Sequence, residues 1–435
     1  MIRFKFALLS LMFLVISCQG QNQAIKKRFS KLALEQDFHQ LVKELETHPQ
    51  INTFISKSDW NSFIKNQKAQ LRGGLTIEEF YKICLPIVAK VGCGHTNLYN
   101  LKYNAATKKS LVYLPYRVSI EGGKLYVIEN LSTNKSIPLG ARIESINGKP
   151  IQEIIAFIVS AMPADGYNKS YQRRMASKGF TYYYHALYGI NDYNTLSYVH
   201  QGKTTKLAFK CSELISLEGQ TKKETKKLDF KIDQETNAGI ITLKTFSFYN
   251  NVAHFQKFID SAFTTIKKQR IKNIIIDLRG NQGGDPYCSS YLLRAIANKP
   301  IQYYKDDTSY PELLVPQKSL GYKLANKPLV LIDGFGFSST GHVAALIQEH
   351  NLGVFIGEEL GSTYSCNGAQ RNTSLGKTGL FLQVGQKVVD VKVNPSKYDK
   401  TKGILPNIEV KSNIQSTLDK RDIVMEKAFS LFRKK

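Results

Sequence analysis

Cysteines and acidic residues are scarce in this sequence of 435 residues, and two common ligand-binding signatures are missing. The six cysteines lie far apart, at positions 18, 84, 93, 211, 288 and 366, without the CxxC or Cys/His spacing of zinc sites. We therefore predict no metal. Neither GxGxxG nor GxxxxGKS/T occurs, which disfavours a nucleotide-binding protein. The 42% of apolar and 22% of charged residues disfavour both disorder and a polytopic membrane protein.

The N-terminus has the layout of a secretion signal. In "MIRFKFALLSLMFLVISC", two basic residues precede an apolar run that is too short to cross a membrane as a helix. Its last four residues, Val15 to Cys18, resemble the lipobox of bacterial lipoproteins, in which the cysteine is lipidated. The alternatives are an ordinary cleaved signal with an incidental cysteine, or a retained anchor. With Cys18 lipidated, five cysteines remain, an odd number that cannot complete a disulfide framework.

The net charge of +25 comes from 60 basic and 35 acidic residues. The lysines are spread along the chain rather than gathered in one stripe, which favours a solvated basic surface over a nucleic-acid site. Behind an export signal, such a surface would meet an anionic envelope or acidic peptides. We predict an exported protein of the cell envelope, anchored at the outer membrane through Cys18 and facing the periplasm or the cell surface.

Changes in periodicity divide the chain into five segments. Apolar spacing of three and four predicts helices from Phe29 to about Ala89, with Thr76 as a cap. Alternation about Gly122-Gly123 and a turn at Asn147-Gly148 predict a β-rich unit, and "LGARIESINGKPI" resembles PDZ domains, with a generic β-rich insert as the alternative. The predicted segments are a lipoprotein signal peptide (1–18), a helical N-terminal region (19–105), a PDZ-like domain (106–212), a linker (213–228) and a catalytic domain (229–425).

Strands and helices alternate in the last segment, which predicts βαβ units and a mostly parallel sheet with flanking helices. Helices are expected over "VAHFQKFIDSAFTTIKKQ", from Ser289 to Ala297 and from about Ser339. Chemistry gathers at the carboxyl ends of parallel strands. Two strand ends there carry unusual residues, "IIIDLRGNQGGD" and "PLVLIDGFGFSSTGH".

Ser338 stands at the second strand end, where a helix begins. The free N–H groups of a helix N-terminus can stabilise an oxyanion there. A plain helix cap formed by Ser338, Ser339 or Thr340 is the alternative. The hydrolase elbow GxSxG is missed, because Thr340 takes the place of its last glycine.

Together these two runs resemble the S41 peptidase family, the C-terminal-processing and tricorn-like serine proteases, and "KGILPNIEV" resembles the segment that closes their catalytic domain. With "GCGHTNL" and the PDZ-like insert, the resemblance covers residues from about 90 to 425. It implies a ClpP/crotonase-like α/β core and an endopeptidase with no cofactor. It also implies Ser338 as nucleophile and an oxyanion hole made by the N–H of Ser339 with that of Gly283 or Gly284.

The resemblance also bears on the base. One branch of the family uses a lysine in "GExTxGK", but this chain has "GEELGST" with Thr363 in that place. The tricorn-like branch uses a histidine in "GHT", which implies His95 as the base. A histidine suits this role because its pKa lies near neutrality. His342, one helical turn after Ser338, is the rival.

The third member of the site is less well defined by the sequence. The family's glutamate lies shortly before "GI.P", which makes Asp399 the nearest acid, with Glu358 and Glu359 as rivals. We predict an exported, lipid-anchored serine endopeptidase acting on peptides or proteins. The alternative is a catalytically inactive peptide-binding lipoprotein of the same fold.

Overall fold

The computed structural model describes residues 27–101, 114–132, 135–189, 191, 193–210 and 226–433. The signal peptide, Cys18 and most of the predicted linker lie outside these residues. Within them, no helix has both the length and the apolar character needed to span a membrane.

The N-terminal region is helical, as its periodicity predicts. Thr76 forms a capping box with Glu79, which confirms it as a helix cap. The elements of this region are β1 (Arg28–Phe29), α1 (Lys31–Glu46), α2 (Lys57–Lys68), β2 (Leu75–Thr76), α3 (Ile77–Lys90) and β3 (Asn97–Tyr99). A short turn containing Gly92 and Gly94 separates α3 from β3, and His95 lies in that turn.

The middle region is an antiparallel sheet that carries three helices on one connection. Its elements are β4 (Tyr116–Glu121), β5 (Lys124–Asn130), β6 (Arg142–Ile146), β7 (Lys149–Pro150), α4 (Ile151–Ser160), α5 (Lys169–Lys178), α6 (Phe180–Tyr188), β8 (Tyr193–His200) and β9 (Lys203–Lys210). The strand order is β4-β5-β6-β8-β9, with β7 beside β6. Both predicted turns are found, between β4 and β5 and between β6 and β7.

The C-terminal region contains the predicted α/β core. Its elements are β10 (Leu228–Asp233), β11 (Ala238–Leu243), α7 (Val252–Lys268), β12 (Asn273–Asp277), α8 (Pro286–Ile296), β13 (Leu329–Ile332), α9 (Ser339–Glu349), β14 (Val354–Gly357), β15 (Ser365–Gly368), β16 (Arg371–Ser374), β17 (Phe381–Val384), β18 (Lys387–Asp390), β19 (Ile408–Glu409), α10 (Ile414–Leu418) and α11 (Ile423–Arg433). The main sheet has the order β10-β11-β12-β13-β14-β19. Its pairs are parallel except β10–β11.

Helices cover both faces of the main sheet. Residues of α7, α8 and α9 pack with the sheet in one apolar cluster, while α11 covers Ile275, Leu331 and Ile356 on the opposite face. Burial on both faces explains the near-continuous apolar strands. The carboxyl ends of β12 and β13 are therefore adjacent, because Asp277 pairs with Leu331 in parallel register.

The N-terminal region is joined to the C-terminal region by backbone pairing. Strand β3 is antiparallel to β17, with Leu98 opposite Leu382. The third strand of this sheet, β16, pairs with the other edge of β17. This pairing fixes the turn that carries His95 on the C-terminal region.

Candidate active site

Ser338 occupies a strained turn between β13 and α9. Its backbone has φ 57° and ψ −126°, and its side chain makes no capping hydrogen bond to the helix. This combination of φ and ψ is sparsely populated by residues other than glycine, costs about 1–3 kcal/mol, and is a kind of strain that clusters at functional sites. The helix-cap alternative is therefore wrong for Ser338. Thr340 does not cap either, since its hydroxyl donates to Asn281 Oδ1 at 2.9 Å.

The glycine loop after β12 lies directly against this turn. A Cβ placed on Gly283 would lie 2.9 Å from Ser338 Cβ and 2.7 Å from the carbonyl oxygen of Phe337. Only glycine permits this approach at the observed φ of 89°. The structure thus brings the two strand ends together around Ser338.

The predicted oxyanion donors differ in whether their N–H groups already donate a hydrogen bond within the protein. The N–H of Gly283 donates to Asn281 Oδ1 at 2.8 Å and so already has an acceptor. The N–H of Gly284 has no acceptor among the residues that the structure describes. Ser339 is the first residue of α9, where backbone N–H groups have no partner within the helix. Gly284 and Ser339 are therefore the better pair of donors.

Asn281 holds these two loops together and was not singled out by the sequence. Its side chain is buried, accepts from Gly283 and Thr340 through Oδ1, and donates to the carbonyl of Leu243 at 3.1 Å. Its own carbonyl accepts from the N–H of Phe337 at 3.2 Å. One side chain thus ties the glycine loop, α9 and β11 together.

His95 reaches the site through an aromatic contact. Its ring packs on Phe337, the residue before Ser338, with 4.5 Å between centroids, and Phe337 stacks in turn on Tyr171 at 4.6 Å. A Cβ on Gly94 would lie 2.6 Å from Phe337 Cζ, so glycine is needed for this approach. His95 Nδ1 is buried and has no hydrogen-bond partner among the described residues. Burial lowers the pKa of His95 to about 3.

The carboxylate beside His95 is Asp165, which sequence reasoning missed. Ligand atoms of Cys93, His95 and Asp165 all lie within 4.8 Å of one another. Asp165 accepts from the N–H of Gly94 at 2.9 Å and from the hydroxyl of Ser362 at 3.1 Å. Burial raises its pKa to about 7 despite these hydrogen bonds.

The three acids proposed from the sequence are engaged elsewhere. Asp399 is exposed and accepts from the N–H and hydroxyl of Thr401, at 2.8 and 2.6 Å, within its own turn. Glu358 forms an ion pair with Arg174, and Glu359 accepts from Ser170 at 2.6 Å and from the N–H of Gly403 at 3.0 Å. The expectation of Asp399 is corrected here, because a solvated carboxylate bonded within its own turn does not orient a buried imidazole.

His342 is separated from the serine by a thiol. Burial raises the pKa of the Cys366 thiol, an interaction with the side chain of Ser338 acts in the opposite direction, and the Cys366 sulfur lies 3.3 Å from His342 Nε2. His342 is 2% exposed and packs edge-on against Tyr303 and Tyr304. Burial lowers its pKa to about 4.

Ion pairs anchor the start of the glycine loop. Arg279 donates to both oxygens of Asp277, at 2.9 and 3.0 Å, and to both of Asp422 at 2.6 and 2.8 Å. Asp333 accepts from the N–H groups of Gly280 and Phe335, at 3.0 and 3.1 Å. The conspicuous charges of "IIIDLRG" and "LIDG" are therefore engaged in contacts that position the loops.

Comparison with known proteins agrees with this architecture. The sequence profile of peptidase family S41 matches residues 237–410. No curated protein matches the sequence. Similar solved structures include a mutant of CPAF (TM-score 0.61, 12% identity, 92% of this chain and 96% of that one) and mature CPAF complexed with lactacystin (TM-score 0.60, 12% identity, 93% and 98%). The photosystem II D1 C-terminal processing protease has a TM-score of 0.45 at 14% identity, covering 88% and 93%.

At these identities, the likeness to CPAF is one of fold, and it extends over the N-terminal, middle and C-terminal regions. The family assignment rests on the matched profile, which contains both strand ends, the glycine loop and Ser338. Through residues 237–410, the chain is a member of the S41 family of serine peptidases.

Proposed function

We propose that this protein is an exported, lipid-anchored serine endopeptidase with Ser338 as nucleophile and His95 as general base. The observation that carries the proposal is the backbone of Ser338, held at φ 57° with a side chain that caps nothing. Strain of this kind persists only where the surrounding structure enforces it. Here the neighbouring glycine loop enforces it, because the carbonyl of Asn281 accepts from the N–H of Phe337 and Gly283 lies directly against Ser338.

The proposed reaction follows from the placement of these groups. Ser338 Oγ attacks the peptide carbonyl as His95 accepts its proton, and the N–H groups of Gly284 and Ser339 donate to the tetrahedral oxyanion. His95 then returns the proton to the leaving amine. Water then attacks the acyl-enzyme as His95 accepts its proton. His95 returns this proton to Ser338 Oγ, and the acid product leaves.

Asp165 is proposed as the group that orients His95, in place of Asp399. A neutral imidazole is the resting form, since burial lowers the pKa of His95. Once it accepts the serine proton, the imidazolium gains from a carboxylate nearby, and Asp165 is the acid whose oxygen lies within 4.8 Å. The bonds from Gly94 and Ser362 hold that carboxylate in place.

His342 is not the proposed base, because a base must pass its proton to the leaving amine of a bound substrate. The ring of His342 is enclosed by Tyr303, Tyr304 and Cys366 and is 2% exposed. His95 is only partly buried as a residue.

A serine-directed fluorophosphonate probe tests these roles. We expect labelling of the wild type, none in Ser338→Ala, and a loss of at least about 100-fold in rate in His95→Ala, within the usual contribution of a general base. His342→Gln, which keeps a polar group against Cys366, should label at close to the wild-type rate. Lactacystin, which CPAF binds in its solved complex, should slow the labelling if it occupies the same serine.

Two outcomes contradict the proposal. Labelling that persists in Ser338→Ala places the nucleophile elsewhere, and labelling lost in His342→Gln but kept in His95→Ala reverses the two histidines. A folded wild type that never labels, yet binds peptides, favours the peptide-binding lipoprotein instead. Thermal melting of each variant separates loss of chemistry from loss of folding.

The proposed anchor is a lipid on Cys18, in the run Val15-Ile16-Ser17-Cys18. One acyl chain binds membranes only marginally, so a stable anchor requires more than one on this cysteine. Metabolic labelling with an alkynyl fatty acid should mark the wild type and not Cys18→Ala, which should also leave the membrane fraction. Incorporation into Cys18→Ala at the wild-type level contradicts the anchor. A protease added to intact cells should digest the protein if it faces the cell surface and should spare it if it faces the periplasm.

The middle region is proposed to present the peptide, as a PDZ-like domain would. Its sheet ends in β4 on one side and β9 on the other, and an extended peptide can add to such an edge. Peptides with a free C-terminal carboxylate should then bind more tightly than the same peptides amidated. Equal affinity for the two forms contradicts capture through the carboxylate.

A further inference from the structure

Cys93, His95 and Asp165 form a compact group of metal-binding side chains next to the serine. One sulfur, one imidazole nitrogen and one carboxylate oxygen lie within 4.8 Å of one another. Thiolate, imidazole and carboxylate are the three ligand types that bind Zn²⁺ in proteins. Cys93 and His95 are two residues apart in one turn, whereas Asp165 comes from the segment before α5, so the grouping arises from the fold.

The charges of the group favour a divalent cation. The hydrogen bonds to Asp165 come from neutral groups, the N–H of Gly94 and the hydroxyl of Ser362. The carboxyl is buried without an ion pair among the residues that the structure describes. A bound divalent ion that displaces the protons of the Cys93 thiol and the Asp165 carboxyl is balanced by the two negative charges that these groups then carry.

Binding at Cys93 requires a cation that displaces the thiol proton. Burial, together with the carboxylate of Asp165, raises the pKa of the Cys93 thiol to about 12, and hydrogen bonds with Thr96 and His95 only partly oppose this. Gly94 and Ser362 hold the carboxylate of Asp165 through hydrogen bonds. Such hydrogen bonds orient ligands in metal sites.

His95 supplies a second, independent sign of a missing partner. Its Nδ1 is buried and makes no hydrogen bond with any described residue. The residue as a whole is partly exposed, so solvent and ions can approach the ring. A water from that side would complete a four-coordinate ion, the arrangement of zinc sites with three protein ligands.

We propose that Cys93, His95 and Asp165 form a site for a thiophilic divalent cation such as Zn²⁺. Binding releases the thiol proton of Cys93 to solvent and leaves the metal on its sulfur, on the imidazole and on the carboxylate. A metal-held His95 cannot accept the proton of Ser338, so the ion acts as a reversible inhibitor. This inhibitory consequence rests on the proposed peptidase function, whereas the binding itself does not.

Cobalt(II) tests the site directly, because a cobalt–thiolate bond gives a charge-transfer band in the near ultraviolet. The titration uses the full chain carrying Ser338→Ala, so that the outcome is independent of catalysis. We expect the band to grow to one equivalent of cobalt and to disappear when zinc is added. Cys93→Ser in this background should lose the band, and Cys366→Ser, which removes the other buried thiol near the serine, should keep it.

Two results would overturn the site: no sulfur-to-cobalt band in the folded protein, or a band that Cys366→Ser removes and Cys93→Ser leaves. Asp165→Asn gives a further check should Cys93→Ser fold poorly. Replacing a ligand should weaken cobalt binding at least about 10-fold, the lower end of what changes even to the residues behind the ligands cause. Unchanged affinity in Asp165→Asn contradicts the three-ligand site.

The inhibitory role has its own test. Zinc should abolish fluorophosphonate labelling of the wild type, and a chelator should restore it. Cys93→Ser should label without zinc and stay labelled with it. Wild-type labelling that zinc at saturating occupancy leaves unchanged overturns the inhibition, while the cobalt titration still decides whether the site exists. Absence of labelling without zinc would instead count against the peptidase function.

Discussion

At the scale of single residues, Gly280 and Gly283 share a left-handed backbone but have different surroundings. Their φ angles are 77° and 89°. A Cβ on Gly280 would meet nothing within 4 Å, whereas one on Gly283 would press on Ser338 and on the carbonyl of Phe337. An alanine at Gly280 would therefore strain only the backbone, whereas an alanine at Gly283 would strain the backbone and also displace Ser338.

We predict that Gly283→Ala lowers the rate of fluorophosphonate labelling by at least about 100-fold, the scale of loss expected when a reacting group moves by about 1 Å. Gly280→Ala carries a similar strain of about 1–2 kcal/mol, and we expect it to lower stability while it leaves labelling near the wild-type rate. Labelling kinetics and urea unfolding of both variants provide the measurement. Equal loss of labelling in the two variants would show that strain alone accounts for it.

Asn281 gives a second prediction at this scale. Asn281→Ala leaves the N–H of Gly283 and the hydroxyl of Thr340 without their acceptor, and each buried unsatisfied group costs about 1–3 kcal/mol. We expect both the unfolding free energy and the labelling rate to fall. Thr340→Val removes one of these bonds and keeps the other, so its effects should be smaller in both measurements. A larger effect of Thr340→Val contradicts the role given to Asn281.

At the scale of elements, β3 is the connection between the histidine and the serine. It is three residues long and pairs with β17, and Leu98 at its centre is 2% exposed. The carbonyl of Leu98 also accepts from the hydroxyl of Tyr81 in α3 at 2.9 Å. Any shift of β3 on β17 moves His95 relative to Ser338.

We predict that Leu98→Ala lowers both stability and labelling. Leu196→Ala in β8, a leucine buried to 1% exposure in the middle region, is the matched control. Each truncation should cost about 2–5 kcal/mol. Labelling measured well below the unfolding temperature should fall in Leu98→Ala only. If Leu196→Ala slows labelling as much, the effect belongs to general destabilisation and not to β3.

Sequence periodicity predicted most of the elements, since helices and strands that bury one or two faces show it directly. It placed β11 to β14 and α9, and it began α8 at Ser289, where Asp285 and Pro286 start the helix three residues earlier. It did not predict β10, whose residues follow a charged stretch. Pairing between β3 and β17 could not be predicted, because three-residue strands have too few residues for a pattern.

The site residues also divide into those that a sequence pattern predicted and those that it could not predict. Ser338 and the glycine loop were found because they follow apolar strands, and His95 because of a family motif. Asp165 begins a three-residue turn (Asp165–Tyr167), which is too short to show a periodic pattern, and only the fold brings it to Cys93 and His95. The expectation of no metal rested on spacing along the chain. Spacing along the chain cannot reveal a group of side chains such as Cys93, His95 and Asp165, which come from segments far apart in the sequence.

At the scale of the whole molecule, several histidines are buried in the neutral form. Burial lowers the pKa of His48, His185 and His342 to about 4 and that of His95 to about 3, against 6.5 when exposed. Between about pH 4 and 6.5, the unfolded chain binds more protons at these sites than the folded one. Stability is therefore lost as the pH falls through this window. The raised pKa values of Glu121, Asp165, Asp285 and Asp333 act in the opposite direction, but among these carboxyls only that of Asp165 is raised as far as about 7.

We predict that the free energy of unfolding in urea is lower at pH 5 than at pH 7.5, with about 1–2 kcal/mol from each fully buried histidine. His185 accepts from the N–H of Leu114 at 3.1 Å, and its Nδ1 lies 3.2 Å from the carbonyl of Gly189. Glutamine can reproduce both bonds without titrating. His185→Gln should therefore show a smaller difference between the two pH values, and an unchanged difference would exclude His185 as a source of it.

The pairing of β3 with β17 also determines the stage of chain synthesis at which the active site can first form. His95 is made early, but the strand that holds its turn in place ends at Val384, almost three hundred residues later. During synthesis, the chain carries the histidine and then the serine before the site can form. Contacts of such long range form late in folding. The nascent chain is thus harmless to its neighbours until nearly all of it has been made, and no separate inhibitory segment is needed for that protection.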